Sequence, residues 1–311
     1  MRLAEVRAWL RRSAFAANDD IAGLRRIGHG EWSQAFGFWV RGRDYVVRFS
    51  ALDEDFRKDQ RAMAYAGPAL PIPRILEIGT AFAGFYALAE QVHGHYLDDL
   101  DLAGLQSALP ALLQALDAAR EADLSGTHGF GVWDANGSAP HASWRQALLD
   151  VASDRPALRT HGWRARLAGD PVGWAAFEAG YARLGDLVDA CPAGQRWLVH
   201  ADLLNFNVLV DGPRLAAVLD WGASLYGDFL FDVAWFVFWQ PWYPAWAGVD
   251  VADQARRHYA RIGLDVPNLD ERLRCCTLAI GLDSLAYNAF RGRPAEHVAA
   301  VAQRLRHFSD P

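Results

Sequence analysis

Lysine is almost absent from this chain. Lys58 is the one lysine among 31 basic residues, and arginine carries the rest. Any role that ordinarily falls to lysine therefore belongs to Lys58 or passes to an arginine, whose planar guanidinium keeps the charge but changes the geometry. Cysteine is scarce too. Cys191, Cys275 and Cys276 are an odd number that includes an adjacent pair, which argues against a disulfide framework, fits a reducing cytoplasm and lacks metal-ligand spacing. No apolar run approaches the roughly 20 residues of a membrane helix; the longest free of charge is VAWFVFW at 233–239. The arginines of RRSAF are followed by AANDDIAG and not by an apolar stretch, so they end a first amphipathic helix and do not form an export signal. There is no block of basic residues, and the net charge is −6. Nucleic acid is thus excluded as the expected partner, and an acidic surface around a cleft favours cationic ligands.

What is present is ample material for a core: 311 residues, 52% of them hydrophobic. LRRIG (24–28), AFGFWV (35–40) and DYVVRFS (44–50) alternate like antiparallel strands, with RGRD as a turn. Residues 53–67 have helical spacing and end at Gly67-Pro68, and ILEIGTAF and GFYALAEQV read as another strand pair. Beyond His93 the pattern changes to long helices, at 101–124, 144–152, 175–191 and in a series from 250 to 308, interrupted by a Gly- and Asn-rich connection at 125–142. The expected architecture is α+β with two lobes: residues 1–92, a small antiparallel sheet plus a helix, and residues 93–311, mainly helical. A cleft between them is the natural place for a ligand.

The densest chemistry lies in LVHADLLNFNVLVDGPRLAAVLDW (198–221). NVLV and LAAVLD are strands joined by Asp211-Gly212-Pro213-Arg214, and a turn centred between Pro213 and Arg214 sets 210 against 217 and Asn207 against Asp220. Two oxygen-bearing side chains at the open end of an apolar hairpin form the partial site that Mg²⁺ accepts, with substrate phosphates completing its shell. Asp202 then points into the same cleft, where a carboxylate orients a hydroxyl and takes its proton in phosphoryl transfer.

His200-Ala201-Asp202, Asn207 and Asp220, with Gly227-Asp228 and Asp232-Val233-Ala234 after them, resemble the catalytic loop and following signatures of the aminoglycoside phosphotransferases, relatives of the protein kinases. FWQPW (238–242), IGLD (280–283), ALPIPRILEIG (69–79), EADLSGTHGFG (121–131) and SWRQ (143–146) draw the resemblance closer to the hygromycin B branch of that family. The resemblance implies a bilobal protein-kinase-like fold, ATP and Mg²⁺ as cofactors, Asp202 as catalytic base and Asn207 and Asp220 as metal ligands. It also implies that His200 braces the loop and that Asp232 hydrogen-bonds its backbone.

On the nucleotide side, Gly28, Gly30 and Ser33 lie between two strands, where a kinase-like fold passes a loop over phosphates; a Walker-type loop is absent. The third strand carries Arg48 where the general pattern has lysine, so Arg48 or else Lys58 contacts the phosphates, with Arg48 preferred and a merely solvated Lys58 as the alternative. Asp55 and Asp59 are both open as partner carboxylates. The resemblance puts the backbone of Glu90 and Val92 beside the adenine; His93 and His95 read as a turn, not a metal site.

A polycationic, hydroxyl-rich acceptor calls for carboxylates and flat aromatic faces. Candidates are Asp228, Asp232, Trp235, Trp239, Trp242, Asp283 and Tyr287. The leading expectation is an ATP-dependent O-phosphotransferase of a hygromycin B-type antibiotic, conferring resistance. The alternatives are a kinase of another small alcohol, such as a macrolide, choline or a sugar, and a catalytically silent nucleotide-binding module. Neither a membrane nor an oligomeric state is signalled.

Overall fold

A computed structural model describes residues 1–310 other than 14, 17 and 18. After α1 (Leu3–Leu10), strands β1 (Ala22–His29), β2 (Ser33–Val40) and β3 (Arg43–Ser50) form a meander, followed by α2 (Glu54–Ala62), β4 (Ile75–Ala81) and β5 (Gly84–Glu90). The five strands make one antiparallel sheet in the order β1-β2-β3-β5-β4. Alternation decides what each face carries. In β3, Tyr45, Val47 and Phe49 enter a small core with Val6, Leu10, Phe36 and Phe38. Arg48, between two of them, therefore points to the opposite face, toward α2.

The connector enters the second part through β6 (His95–Tyr96) and then α3 (Leu102–Arg120), β7 (Gly131–Val132), α4 (Trp144–Leu149), α5 (Trp163–Ala168) and α6 (Pro171–Leu187). Next come β8 (Trp197–Val199), the hairpin β9 (Val208–Asp211) and β10 (Arg214–Val218), β11 (Leu225–Gly227), and helices α7 (Leu230–Trp239), α8 (Val251–Ile262), α9 (Leu269–Arg291) and α10 (Ala295–Ser309). The charge-free run at 233–239 lies within α7, most of whose residues are buried. α9 runs through the centre of the larger core, burying fourteen of its residues. No helix is long and apolar enough to cross a membrane among the described residues.

One feature differs from expectation, and a second, the connection at 125–142, expected as an ordered functional or packing loop, takes the packing form. Ala62 and Leu70, in the first 92 residues, belong to the large core, and the Pro71 carbonyl accepts from Val218 N at 2.7 Å. The segment after α2 is thus docked on the hairpin of the other part. The connection at 125–142 is held by backbone bonds between 128 and 137–139 and between 130 and 141, and its Trp133 is fully buried, stacked on Tyr226 at 5.7 Å. It is a packing segment.

Candidate active site

Asp202 lies in the loop between β8 and β9, with both carboxylate oxygens held. Asn205 Nδ2 donates to Oδ1 at 2.7 Å, and Asn207 Nδ2 donates to Oδ2 at 3.0 Å and to the Asp202 carbonyl at 2.8 Å. The start of the loop is fixed from below. Asp232, on the first turn of α7, accepts from His200 N at 2.9 Å and Ala201 N at 2.8 Å. His200 is buried, its Nε2 meets the Leu219 carbonyl at 2.8 Å, and its Nδ1 accepts from Asp202 N at 3.2 Å. Burial pushes the imidazole down to about 4, against the opposing Leu219 bond, so at neutral pH it is the neutral ring these two contacts require. Burial likewise pushes Asp232 up to about 6, although its two backbone donors pull the other way.

The hairpin register differs from the expected one. Asp211 pairs with Arg214 across a two-residue turn in which Gly212 takes φ 59°, so Val210 faces Leu215 and not Ala217. A bulge at Ala216 then shifts the ladder, Val208 faces Val218, and Leu219 N donates to the Asn207 carbonyl at 2.7 Å. Asn207 is thus opposite Leu219, and Asp220 comes one residue later, in a left-handed conformation at φ 58°. It still reaches the same cleft as Asp202.

Asp220 is open to solvent on one side and hemmed in by protein on the others. That crowding, with Asp59 next in weight and Arg48 opposing, pushes its carboxyl up to about 6. Asp202 is also raised well above the ordinary carboxylate range, by crowding first and by Asp220 among its neighbours. These are groups a divalent cation would relieve. Among the described residues no donor reaches Asn207 Oδ1, so it and Asp220 fit Mg²⁺ as an incomplete oxygen set that needs phosphate oxygens beside it.

Arg48 is paired with Asp59 on α2 and lies 5.0 Å over the Phe56 ring. Asp59 also accepts from Trp221 N at 2.7 Å, so one carboxylate ties the sheet arginine to the segment just after Asp220. Asp55 and Glu54 instead take Arg159, at 3.0 and 2.7 Å. Lys58 corrects both readings made of it: it neither reaches the cleft nor is solvated. It is 1% exposed, donates to the Gly222 and Ser224 carbonyls at 2.6 and 3.1 Å and lies 4.6 Å over the Trp133 ring. Burial pushes it down to about 8.

Gly30 lies in the turn between β1 and β2, where a Cβ would sit 3.7 Å from the Ser33 carbonyl. Gly28 is within β1, with room for a side chain. In the connector, Gln91 N bonds the Asp44 carbonyl at 3.0 Å. Glu90, alternating with it, turns its backbone N–H and C=O away from β3, and Val92 follows on the free stretch. Gly94 is required where the connector crosses the hairpin, because a Cβ there would lie 2.7 Å from the Val210 carbonyl. His93 pairs with Asp44 at 3.1 Å, while His95 is in β6.

The acceptor candidates divide. Asp228 is withdrawn: it is fully buried, and Arg272 on α9 grips both oxygens at 2.8 and 2.9 Å. Asp232 is spent on the loop backbone. Trp235 and Trp239 are half-buried on one side of α7, 6.1 Å apart, and their indole nitrogens have no partner among the described residues. Trp242 is 40% exposed. Asp283 is solvent-reachable but crowded, which pushes it up to about 6. Tyr287, one turn further along α9, gives its hydroxyl to Glu31 of the loop between β1 and β2. A cavity of about 310 Å³ opens beside the loop that carries Asp202, lined in part by Asp98, Asp99, Phe206, Trp242 and Tyr243. Sequence reasoning missed Glu31, Asp98, Asn205 and Tyr243; only Asn205, inside the loop that carries Asp202, stood where a signal existed.

A small antiparallel sheet with a paired arginine, joined by a connector to a helical part whose loop presents a restrained carboxylate, defines a protein-kinase-like phosphotransferase acting on a hydroxyl. The comparisons with known proteins make this specific: the profile of the APH phosphotransferase enzyme family matches residues 23–268, and the chain belongs to that family. It is 34% identical over 272 residues to the hygromycin-B 4-O-kinase of Escherichia coli, covering 86% of this chain and 75% of that one. The crystal structure of aminoglycoside phosphotransferase APH(4)-Ia superposes with a TM-score of 0.84 at 30% identity, over 99% of this chain and 98% of that one. A thermostable mutant of that enzyme, in ternary complex with AMP-PNP and hygromycin B, gives 0.83 at 30% identity over 98% of both chains.

Proposed function

We propose that this protein transfers the terminal phosphoryl group of ATP to a hydroxyl of hygromycin B or a close aminocyclitol relative. The observation that carries this reading is the Asp202 carboxylate, held at both oxygens by Asn205 and Asn207 and placed in the cleft with Asp220. In the reaction the acceptor oxygen forms a bond to the γ-phosphorus, the bond to the ADP oxygen breaks, and the acceptor proton passes to Asp202. Arg48, held by Asp59, offsets phosphate charge; Gly30, in the turn between β1 and β2, and Ser33, at the start of β2, lie over the phosphates; Glu90 and Val92 offer backbone groups to the adenine. Mg²⁺, held by Asn207 and Asp220, would supply charge neutralisation on the phosphates. Residues 1–92 serve as the nucleotide lobe and 93–311 as the catalytic and acceptor lobe.

For the acceptor, the exposed Trp242 supplies an aromatic face, and Asp283, with Asp99 at the cavity beside the loop, supplies negative charge for a cation. The three free cysteines and the need for ATP favour a cytoplasmic setting, and resistance to the antibiotic is the biological role that follows. The test is ADP release from Mg²⁺-ATP against hygromycin B, a macrolide, choline and a sugar. Hygromycin B is expected to give the highest kcat/KM; a higher value with another alcohol overturns the acceptor assignment.

A further inference from the structure

We propose that Asp98, at the entry to the helical part, is a positioning residue for Asp202, holding residues 205 and 206 in the conformation that turns Asn205 onto the catalytic carboxylate. This rests on the reading of Asp202 as the base. The geometry is a relay of hydrogen bonds. Tyr243 Oη donates to Asp98 Oδ1 at 2.7 Å, Asn205 N donates to the same oxygen at 2.9 Å, and Phe206 N donates to Oδ2 at 3.0 Å. Asn205 Nδ2 then donates to Asp202 Oδ1 at 2.7 Å.

Asn205 and Phe206 stand at φ 63° and 67°. Asparagine tolerates the left-handed region, but an aromatic residue there is an outlier that its surroundings must impose. The Phe206 ring does not impose it: it is 54% exposed and meets the Tyr96 ring edge-on, at 5.3 Å between centroids. What fixes the pair is the carboxylate that accepts both consecutive N–H groups. The catalytic loop is thus braced twice, by Asp232 at 200–201 and by Asp98 at 205–206, with Asp202 suspended between. Asp98 also lines the cavity beside the loop, so its competing role is direct contact with a cationic acceptor. The two differ in kinetics, because a misplaced base lowers kcat whereas a lost acceptor contact raises KM.

The experiment uses the full chain with Asp98→Asn, Asp98→Ala and Tyr243→Phe, assayed with Mg²⁺-ATP and hygromycin B and followed by amide hydrogen exchange. For both Asp98 variants kcat is expected to fall about 10- to 100-fold, with both KM values within about twofold, since small displacements of a reacting group cost that much. The Asn205 and Phe206 amides should exchange faster. Tyr243→Phe keeps the ring and removes one donor, so it should lower kcat about threefold at unchanged KM; if the Asp98 variants fail to fold, this variant alone decides, and an unchanged kcat overturns the proposal. Unchanged kcat in folded Asp98 variants, or a raised KM for hygromycin B at unchanged kcat, overturns it as well. If the wild type does not phosphorylate hygromycin B, the acceptor reading fails on its own; exchange at 205 and 206 still judges Asp98, faster exchange supporting it and unchanged exchange overturning it.

Discussion

A carboxylate that must accept a proton is most useful when its own proton is nearly balanced, and the crowding around Asp202 and Asp220 raises both. The sign for activity follows directly. A base works when deprotonated, so activity is lost as pH falls through a raised pKa, and the acid limb of kcat/KM should lie above the ordinary carboxylate value of about 4. An acid limb at or below about pH 4 would contradict this. Arg48 makes a second residue-scale prediction. A lysine there keeps the charge but loses the fork that, on the proposed reading, Asp59 and the phosphates share, so Arg48→Lys should raise KM for ATP about tenfold with a smaller effect on kcat; an unchanged KM would assign the phosphates to another group. At this scale the sequence was most legible where the residue's own chemistry was unusual: Arg48 stood out because lysine was missing. Asp228 misled because the Gly-Asp pair carries no trace of Arg272, 44 residues on, which buries it.

Elements convert those residues into a site, and their register was only partly readable. Alternation in β3 placed Arg48 on the face opposite the core. The β9–β10 turn was misjudged because Gly212 allows a two-residue connection, and the bulge at Ala216 then recovered half of the error. No pattern of apolar residues announces a bulge when both flanks are valine, leucine and alanine. Asp98 was invisible for a different reason: its partners lie 107 and 108 residues away. Helix α9 offers a test at this scale. The folded protein holds Asp283 at about 6 against about 4 in an unfolded chain, so protonation favours folding below pH 4 and that advantage is lost as pH rises through 6. Asp283→Asn should therefore raise Tm at pH 7.5, with a smaller gain at pH 5. Equal gains at both pH values, or a loss at pH 7.5, would show that crowding is not what raises it.

Across the whole molecule, the two parts are joined by more than the connector. Lys58 ties α2 to the Gly222 and Ser224 carbonyls, Asp59 links Arg48 to Trp221, and Arg159 reaches Glu54 and Asp55. Glu31 takes Tyr287 and Arg293, with Arg291 3.5 Å away, and the Trp32 ring lies within 5.5 Å of Arg291 and 5.8 Å of Arg159. The loop between β1 and β2 is thereby clasped to the helix that carries Asp283. Exposed ion pairs are each worth roughly 0.2–1 kcal/mol, so Glu31→Ala should quicken amide exchange at 30–33 by up to about fivefold; unchanged exchange would mean that the clasp does not hold the loop. The two-part architecture was legible from the change of periodicity at His93. The docking of residues 62–71 on the larger core was not, because it depends on contacts with Val218 that no local pattern encodes.

The central claim is that Asp202 takes the proton of an antibiotic hydroxyl as that oxygen receives a phosphoryl group. Mass spectrometry of the products after incubation with Mg²⁺-ATP and hygromycin B, with wild type and Asp202→Asn in parallel, tests it most directly. The account predicts hygromycin B heavier by one phosphate group with the wild type, and formation slowed about 100-fold or more in the variant. Equal phosphorylation by both proteins would contradict it.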